Sequence, residues 1–297
     1  MMLPVILGVM FIIFTLTYIT PGDPARTLLG PQAGEDAVME LRTELGLDDP
    51  FLAQFVRYVG NVARLDFGTS FDTGRPVFME ISSRFPTTMQ LTFMSIIIAI
   101  LIGVPLGIIS ATKQHSIFDG IANGIGLFGI SVPNFWLSMM LIMLFGLHLG
   151  ILPTSGFDGP RYWILPSFSI GISSAAIIMR MTRSSMLEVI RQDYIRTARA
   201  KGQKESAIIF RHALKNALIP VITVVGLEIG ILLGGAILTE TIFSIAGLGR
   251  YMVDAINSRD FPVIQGGVLL IALAFSFINL LVDILYAFVD PRIRAQY

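Results

Sequence analysis

The 297-residue chain contains no cysteine, which excludes disulfide frameworks and thiolate metal sites. Charge is scarce as well. Asp, Glu, Lys and Arg make up only 14% of the residues, and 21 basic side chains balance 21 acidic ones, so no global field favours nucleic acid or an acidic partner. The three histidines, His115, His148 and His212, sit in separate segments, the distribution of interfacial histidines rather than of a metal site. No G-x-x-x-x-G-K-[ST] stretch is present to cradle the phosphates of ATP, and no H-E-x-x-H stretch to hold zinc. Repeats of 20–50 residues and low-complexity tracts are also lacking.

What fills the chain is apolar. Hydrophobic residues reach 54% and the mean hydropathy is +0.73, values of a membrane protein. Six runs come near the roughly 20 apolar residues that a bilayer crossing takes: about 3–20, 89–112, 120–148, 164–184, 217–239 and 263–289. The expected fold is therefore an all-α membrane protein of six transmembrane helices, with residues 1–297 forming one membrane domain. "PVILGVMFIIFTLTYITPGDPA" has neither a basic lead nor a small-x-small cleavage site, so the first run reads as a retained helix, short at its start, that stops at Pro21-Gly22.

Orientation follows from the basic residues of the short loops. With the N-terminus inside, inner segments hold twelve of them: Lys113, nine between Arg180 and Lys215, and Arg292 and Arg294. The short outer loops hold three, Arg161, Arg250 and Arg259. Both termini are expected on the cytoplasmic side. The long outer segment 21–88 then forms a small helical insertion: Val38, Leu41 and Leu45 recur at helical spacing, and after Asp49-Pro50 a second amphipathic stretch sets Phe55, Val56, Val59 and Val62 on one side.

Within the spans, "GIGLFG" at 124–129 matches G-x-G-x-x-G, but no strand precedes it, and close helix packing explains those glycines better than a dinucleotide site. Gly103 with Gly107, and the row Gly226, Gly230 and Gly234, read the same way. Pro105 and Pro133 are expected to interrupt the second and third spans. Glu228 and Asp283 are the clear intramembrane charges, with Asn279 one turn before Asp283. Each serves either as a buried structural polar group or in a translocation path.

The segment 186–215 breaks this apolar pattern. In "RTARAKGQKESAIIFRHALKNALIP", Ala198, Ala200 and Gly202 are set among Arg196, Arg199 and Lys201. An anionic lipid surface accounts for the charges. It does not account for the small residues Ala198 and Gly202, four apart and therefore on one helical face. A short docking helix, with small residues allowing close approach and arginines meeting carboxylates or carbonyls, accounts for both.

"DYIRTARAKG" at 193–202 resembles the cytoplasmic coupling loop in the permease subunits of ATP-binding-cassette importers, in the dipeptide, oligopeptide and nickel branch. The resemblance extends in order through "PGDPA" (21–25), "LGLDDPF" (45–51), "FGTSF" (67–71), "SVPNFWL" (131–137), "LPTSGF" (152–157), "ETIFSIAGLGRYMVDAI" (240–256) and "DPRIR" (290–294). Arg196-Thr197-Ala198 stands where the wider superfamily has Glu-Ala-Ala, and Ala246 where proline is common. The resemblance implies a type I importer permease fold in a bacterial or archaeal cell membrane, with a coupling helix comprising Asp193, Tyr194, Arg196, Thr197, Ala198, Arg199, Ala200, Lys201 and Gly202. It implies no catalysis and no cofactor on this chain, with ATP and Mg held by two partner ATPase subunits. The further partners implied are a second, homologous permease in a heterodimer and an extracytoplasmic binding protein. Peptide, nickel and glutathione importers share the pattern, and the absence of cysteine and clustered histidine favours peptides. The alternative from another class is a secondary carrier or channel that uses Glu228 and Asp283 for a coupling ion.

Overall fold

The computed structural model describes residues 2–30 and 32–289, with the side chains in that range other than those of 2, 283 and 285–289. Among the described residues the chain is helical, and its one β-like feature is an isolated bridge between Thr69 and Pro76. The helices are α1 (Met2–Ile19), α2 (Pro24–Leu29), α3 (Glu35–Leu45), α4 (Phe51–Ala63), α5 (Val77–Thr112) and α6 (Ile117–Ser131). There follow α7 (Asn134–His148), α8 (Pro160–Ile190), α9 (Asp193–Ala200), α10 (Glu205–Ile242), α11 (Leu248–Ser258) and α12 (Phe261–Val289).

All six apolar runs are helical, but they do not make six equal spans. Helices α5, α8, α10 and α12 are long and apolar enough to cross a bilayer. The run 120–148 is a pair, α6 and α7, bent by 104°, and counts as a fifth span if the pair is taken as one. The first run is a shorter apolar helix, Leu3–Ile19. Of the two expected proline breaks, only the one at Pro133 occurs. Val132 there adopts φ −86 and ψ 124, because a following proline ring crowds the helical conformation of the residue before it. Helix α5 instead runs through Pro105 without interruption.

The chain divides into two compact units. The first comprises Met1–Thr88 and Ala246–Ser276, and its core joins Val77 and Ile81 of α5 to Leu248, Met252 and Ala255 of α11 and Val263 of α12. Asp260, 2% exposed, accepts hydrogen bonds from Ser70 Oγ and the Asp72 amide. Gln265 of α12 donates to Thr17 Oγ1 of α1 at 2.6 Å.

The insertion contains three helices where two were expected. Asp23 caps α2 by accepting from the Ala25 amide at 3.0 Å, with Pro24 at the first helical position. Arg42 of α3 bonds both Asp48 and Asp23, and those bonds, Asp48 foremost, raise its pKa above the ordinary value. The apolar faces are narrower than the spacing suggests. Val38 is buried, whereas Leu45 and Val56 are exposed. What α4 presents to α1 is aromatic: Phe51, Phe55 and Tyr58 meet Phe11, Phe14 and Tyr18 at centroid distances of 5.1–6.0 Å. The Tyr58 hydroxyl is buried without a hydrogen-bond partner, and burial pushes its pKa up to about 12. Tyr58→Phe removes that unsatisfied group and keeps the ring, so thermal unfolding is expected to show no loss, and a gain of up to about 1 kcal/mol.

The second unit, Met89–Ile245 with Phe277–Tyr297, has its main core around Leu91, Ile96, Ile170, Ile178, Leu232 and Phe243. Helices α5 and α8 approach too closely for side chains at their crossing. A Cβ on Gly103 would lie 2.5 Å from the Ala175 carbonyl oxygen, one on Gly107 2.5 Å from Thr182 Cβ, and one on Gly171 2.7 Å from the Ser95 carbonyl oxygen. Gly126 and Gly129 of the GIGLFG stretch likewise face Met179 and the Ile172 carbonyl. Gly107→Val is expected to lower the unfolding midpoint by an equivalent of about 1–3 kcal/mol. Gly124→Ala, where the added carbon meets open space, should leave it unchanged or slightly raised.

Candidate functional site

The loop between α8 and α10 is built on one anchor. Ile195 has no exposed surface and enters a cluster of Ile108, Ala111, Met186, Ile208, Ala213 and Ala217. An eight-residue helix is marginal in isolation, so this inward side chain fixes α9 to the unit. The Gln192 carbonyl receives the Ile195 amide at 3.1 Å and opens the helix. At the other end Gly202 takes φ +76, its amide bonding the Arg199 carbonyl at 3.0 Å while the Gln203 amide reaches Ala198. This left-handed residue stops the helix without the cost a Cβ would add.

Two expectations are corrected by this geometry. Gly202 lies beyond the end of α9, so it shares no helical face with Ala198. Ala198 is itself half-buried and packs inward beside Ile195. The outward surface consists of Asp193, Tyr194, Arg196, Thr197, Arg199, Ala200 and Lys201, all exposed, with Gly202 at its edge.

Several hydrogen bonds that no local sequence pattern signals hold this surface. Asn216 donates to Tyr194 Oη at 2.8 Å. Gln203 Oε1 and His212 Nε2 lie 2.7 Å apart. Glu205 receives Arg199 through two bonds, Nε to Oε1 at 2.5 Å and Nη2 to Oε2 at 3.2 Å, which raise the Arg199 pKa beyond its ordinary value. Arg199 therefore closes the loop across Gly202. Among the described residues Arg196 pairs with Asp193 alone, at 3.7 Å, and Arg196 and Asp193 are 73% and 96% exposed. Helix α10 turns π-helical over Ile208–Ala213, after its opening residues Glu205–Ala207.

A polar hub ties three helices beneath this loop. Asp119 of α6, 6% exposed, accepts from the Ser110 hydroxyl of α5, the His115 amide at 3.0 Å and Asn123 Nδ2 at 2.7 Å. Arg183 of α8 completes it, with Nε and Nη2 each 3.2 Å from a carboxylate oxygen. Its sequence signal is slight: Ser116 precedes Asp119 by three residues, the spacing of a helix start, and caps its amide at 3.4 Å.

The intramembrane polar residues lie on two helices, α10 and α12. Glu228 of α10 is 3% exposed and hydrogen-bonds Ser174 of α8. Asn279 of α12 is half-buried. The side chain of Asp283, and the DPRIR stretch with Arg292 and Arg294, lie outside the described residues. Gly226, Gly230 and Gly234 do not form one stripe: Gly226 meets Val282 of α12, Gly230 is half-buried, and Gly234 is exposed to open space. Four-residue steps rotate about 40° each around an α-helix, so three such glycines fan over about 80°.

Residues 103–295 match the family described as binding-protein-dependent transport system inner membrane component, and residues 2–92 match the N-terminal region of such membrane components. Over 99% of its length the chain is 47% identical to the dipeptide transport system permease protein DppB of Alkalihalophilus pseudofirmus, covering 97% of it. It is 45% identical, again over 99%, to the glutathione transport system permease protein GsiC of Salmonella paratyphi A, covering 96%. Among solved structures, the methionine ABC transporter MetNI in an inward-facing conformation aligns with a TM-score of 0.61 at 19% identity, over 71% of this chain and 96% of that one. An amino acid ABC transporter crystallised with histidines aligns at 0.56 and 15% identity, over 70% and 92%. At those identities the likeness is one of fold.

Proposed function

Because the chain belongs to the family of binding-protein-dependent transport system inner membrane components, we propose that it forms half of the translocation pathway of an ATP-driven importer of short peptides and that α9 couples this pathway to separate ATPase subunits. The observation that carries the reading is the construction of α9, whose inward face is sealed by Ile195 while its outward face presents Arg196 and Lys201. A groove on a partner ATPase receives this face. ATP-driven movement of the groove is transmitted through Ile195 and the flanking ends of α8 and α10, switching the bundle between inward- and outward-facing states.

In this assembly ATP and Mg bind the two ATPase subunits, and this chain carries no cofactor and no catalysis. A second, homologous permease completes the pathway, and an extracytoplasmic binding protein delivers cargo. The loop 186–215 and both termini face the cytoplasm, and 21–88 is the extracytoplasmic insertion of a single permease domain. The relatives named for dipeptide and for glutathione both take small peptidic cargo, which supports peptides over nickel chelates. Glu228 acts as a buried framework polar group between α10 and α8, and Asn279 and Asp283 of α12 serve either the framework or the translocation path. Gly226 serves helix packing against α12, with Gly230 and Gly234 along the same helix.

Affinity purification of the tagged chain from its own membranes, followed by reconstitution, tests the reading. Nucleotide-hydrolysing subunits should co-purify, and the vesicles, supplied with the binding protein, should take up labelled dipeptide only with ATP. A chain that transports alone, driven by an ion gradient, would be a secondary carrier instead.

A further inference from the structure

The cytoplasm-proximal end of α8 carries a cavity of about 710 Å³, lined by Asn123 of α6, by Arg180, Arg183, Ser184 and Glu188 of α8 and by Arg191 just past its end, among others. Three arginines and one glutamate give this lining a positive balance. Arg183 is committed to Asp119. Arg180 and Arg191 have no ion-pair partner among the described residues and are exposed. Eleven residues separate them, about 16 Å of helix. Arg180 thus lies at the deep end of the cavity, within the apolar span, and Arg191 at its mouth.

An unpaired arginine at that depth is costly unless an anion or water reaches it. The surroundings distinguish among anions. One turn deeper than Arg180 on the same face of α8 is Ile177, and one turn deeper than Asn123 on α6 is Leu127, 37% and 61% exposed. Charged lining at the helix end and exposed apolar side chains directly below it match a molecule with an anionic head and hydrocarbon tails. They do not match a free ion or a soluble peptide. Basic pockets between helices on the cytoplasmic side are suited to lipid phosphates.

We propose that the groove formed by Asn123, Arg180, Ser184 and Arg191 is a binding site for an anionic phospholipid of the inner leaflet, with the phosphate between the arginines and the acyl chains along Ile177 and Leu127. The assignment rests on the cytoplasmic placement of this end of α8 argued above. It adds a lipid contact immediately before the loop that carries α9, so occupancy stiffens the base of that loop.

The test is native mass spectrometry of the intact transporter released from nanodiscs of equal phosphatidylglycerol and phosphatidylcholine. Wild type should retain phosphatidylglycerol preferentially. R180Q/R191Q should weaken that retention on the order of tenfold or more, since each arginine near a membrane surface contributes about fivefold. R211Q/K215Q, which removes two exposed cations outside the cavity, should retain it. Both altered arginines are exposed, so folding is not at stake, and wild type alone supplies a second arm in which excess inorganic phosphate leaves the lipid bound. Equal retention by wild type and R180Q/R191Q overturns the proposal. So does displacement by inorganic phosphate, which makes the site one for a soluble anion, and so does lipid binding that appears only after the ATPase subunits are stripped, which makes the groove a protein contact. Should ATPases fail to co-purify while arginine-dependent lipid retention persists, the coupling reading fails and the lipid site stands. With ATPases present and no lipid preference, the reverse holds.

Discussion

Arg196→Glu is expected to leave the chain inserted and at wild-type abundance while reducing ATP-dependent uptake about thirtyfold or more. The two halves of that expectation come from different physics. Inside the chain, Arg196 contributes almost nothing: its one ion pair among the described residues is 3.7 Å long and on the surface, where such pairs are worth about 0–1 kcal/mol. Its side chain is 73% exposed. At a docked interface the same group is desolvated, and losing one member of a buried charged pair costs roughly 2–5 kcal/mol, with reversal adding repulsion. Uptake into reconstituted vesicles and the ATPase rate are the paired readouts. Coupling loss appears as hydrolysis no longer stimulated by the loaded binding protein. Arg199→Glu is expected to behave differently, because it also breaks the bonds to Glu205 that close the loop, so loop order and docking fail together.

The second large effect is expected at Asp119. Asp119→Ala leaves the hydroxyl of Ser110 without its acceptor and the Arg183 guanidinium without its counter-charge, with Ser110 Oγ, 2.9 Å from Nε, still accepting from it. Removing one partner of a buried pair costs about 3–5 kcal/mol. The lower end applies here, since the Arg183 side chain retains 27% of its surface exposed. Membrane abundance and the unfolding midpoint should both fall. The pair substitution Asp119→Ala with Arg183→Met should recover most of the loss, because no uncompensated charge is then left behind. A single substitution that unfolds the chain and a double one that restores it would assign the effect to the stranded guanidinium rather than to helix propensity.

Which of these features were legible in the sequence depended on whether the signal was local. The apolar runs are set by transfer energy summed over about 20 residues, and each came out helical. The spacing of Gly103 and Gly107 predicts packing positions, and the 2.5 Å from a would-be Cβ on Gly103 to the Ala175 carbonyl oxygen agrees. Pro105 and Pro133 give the same signal to a sequence reader. Only Pro133 breaks its helix, whereas Pro105 lies between two glycines that press α5 onto α8, and tertiary packing carries the helix through. Around α9 the basic composition was legible but the facing was not. Ala198 turned inward because Ile195 fixes the rotation of an eight-residue helix, and a left-handed glycine ended that helix before position 202. Asp119 gave almost no signal. Its partners Ser110 and Arg183 are 9 and 64 residues away, and only the fold brings them together.

The most direct test of the coupling claim is site-specific photo-crosslinking from position 196 in whole cells. The account predicts a covalent adduct with a nucleotide-hydrolysing subunit, formed from position 196 and not from Leu127 on the apolar face. Adducts from position 196 with phospholipid alone would contradict it.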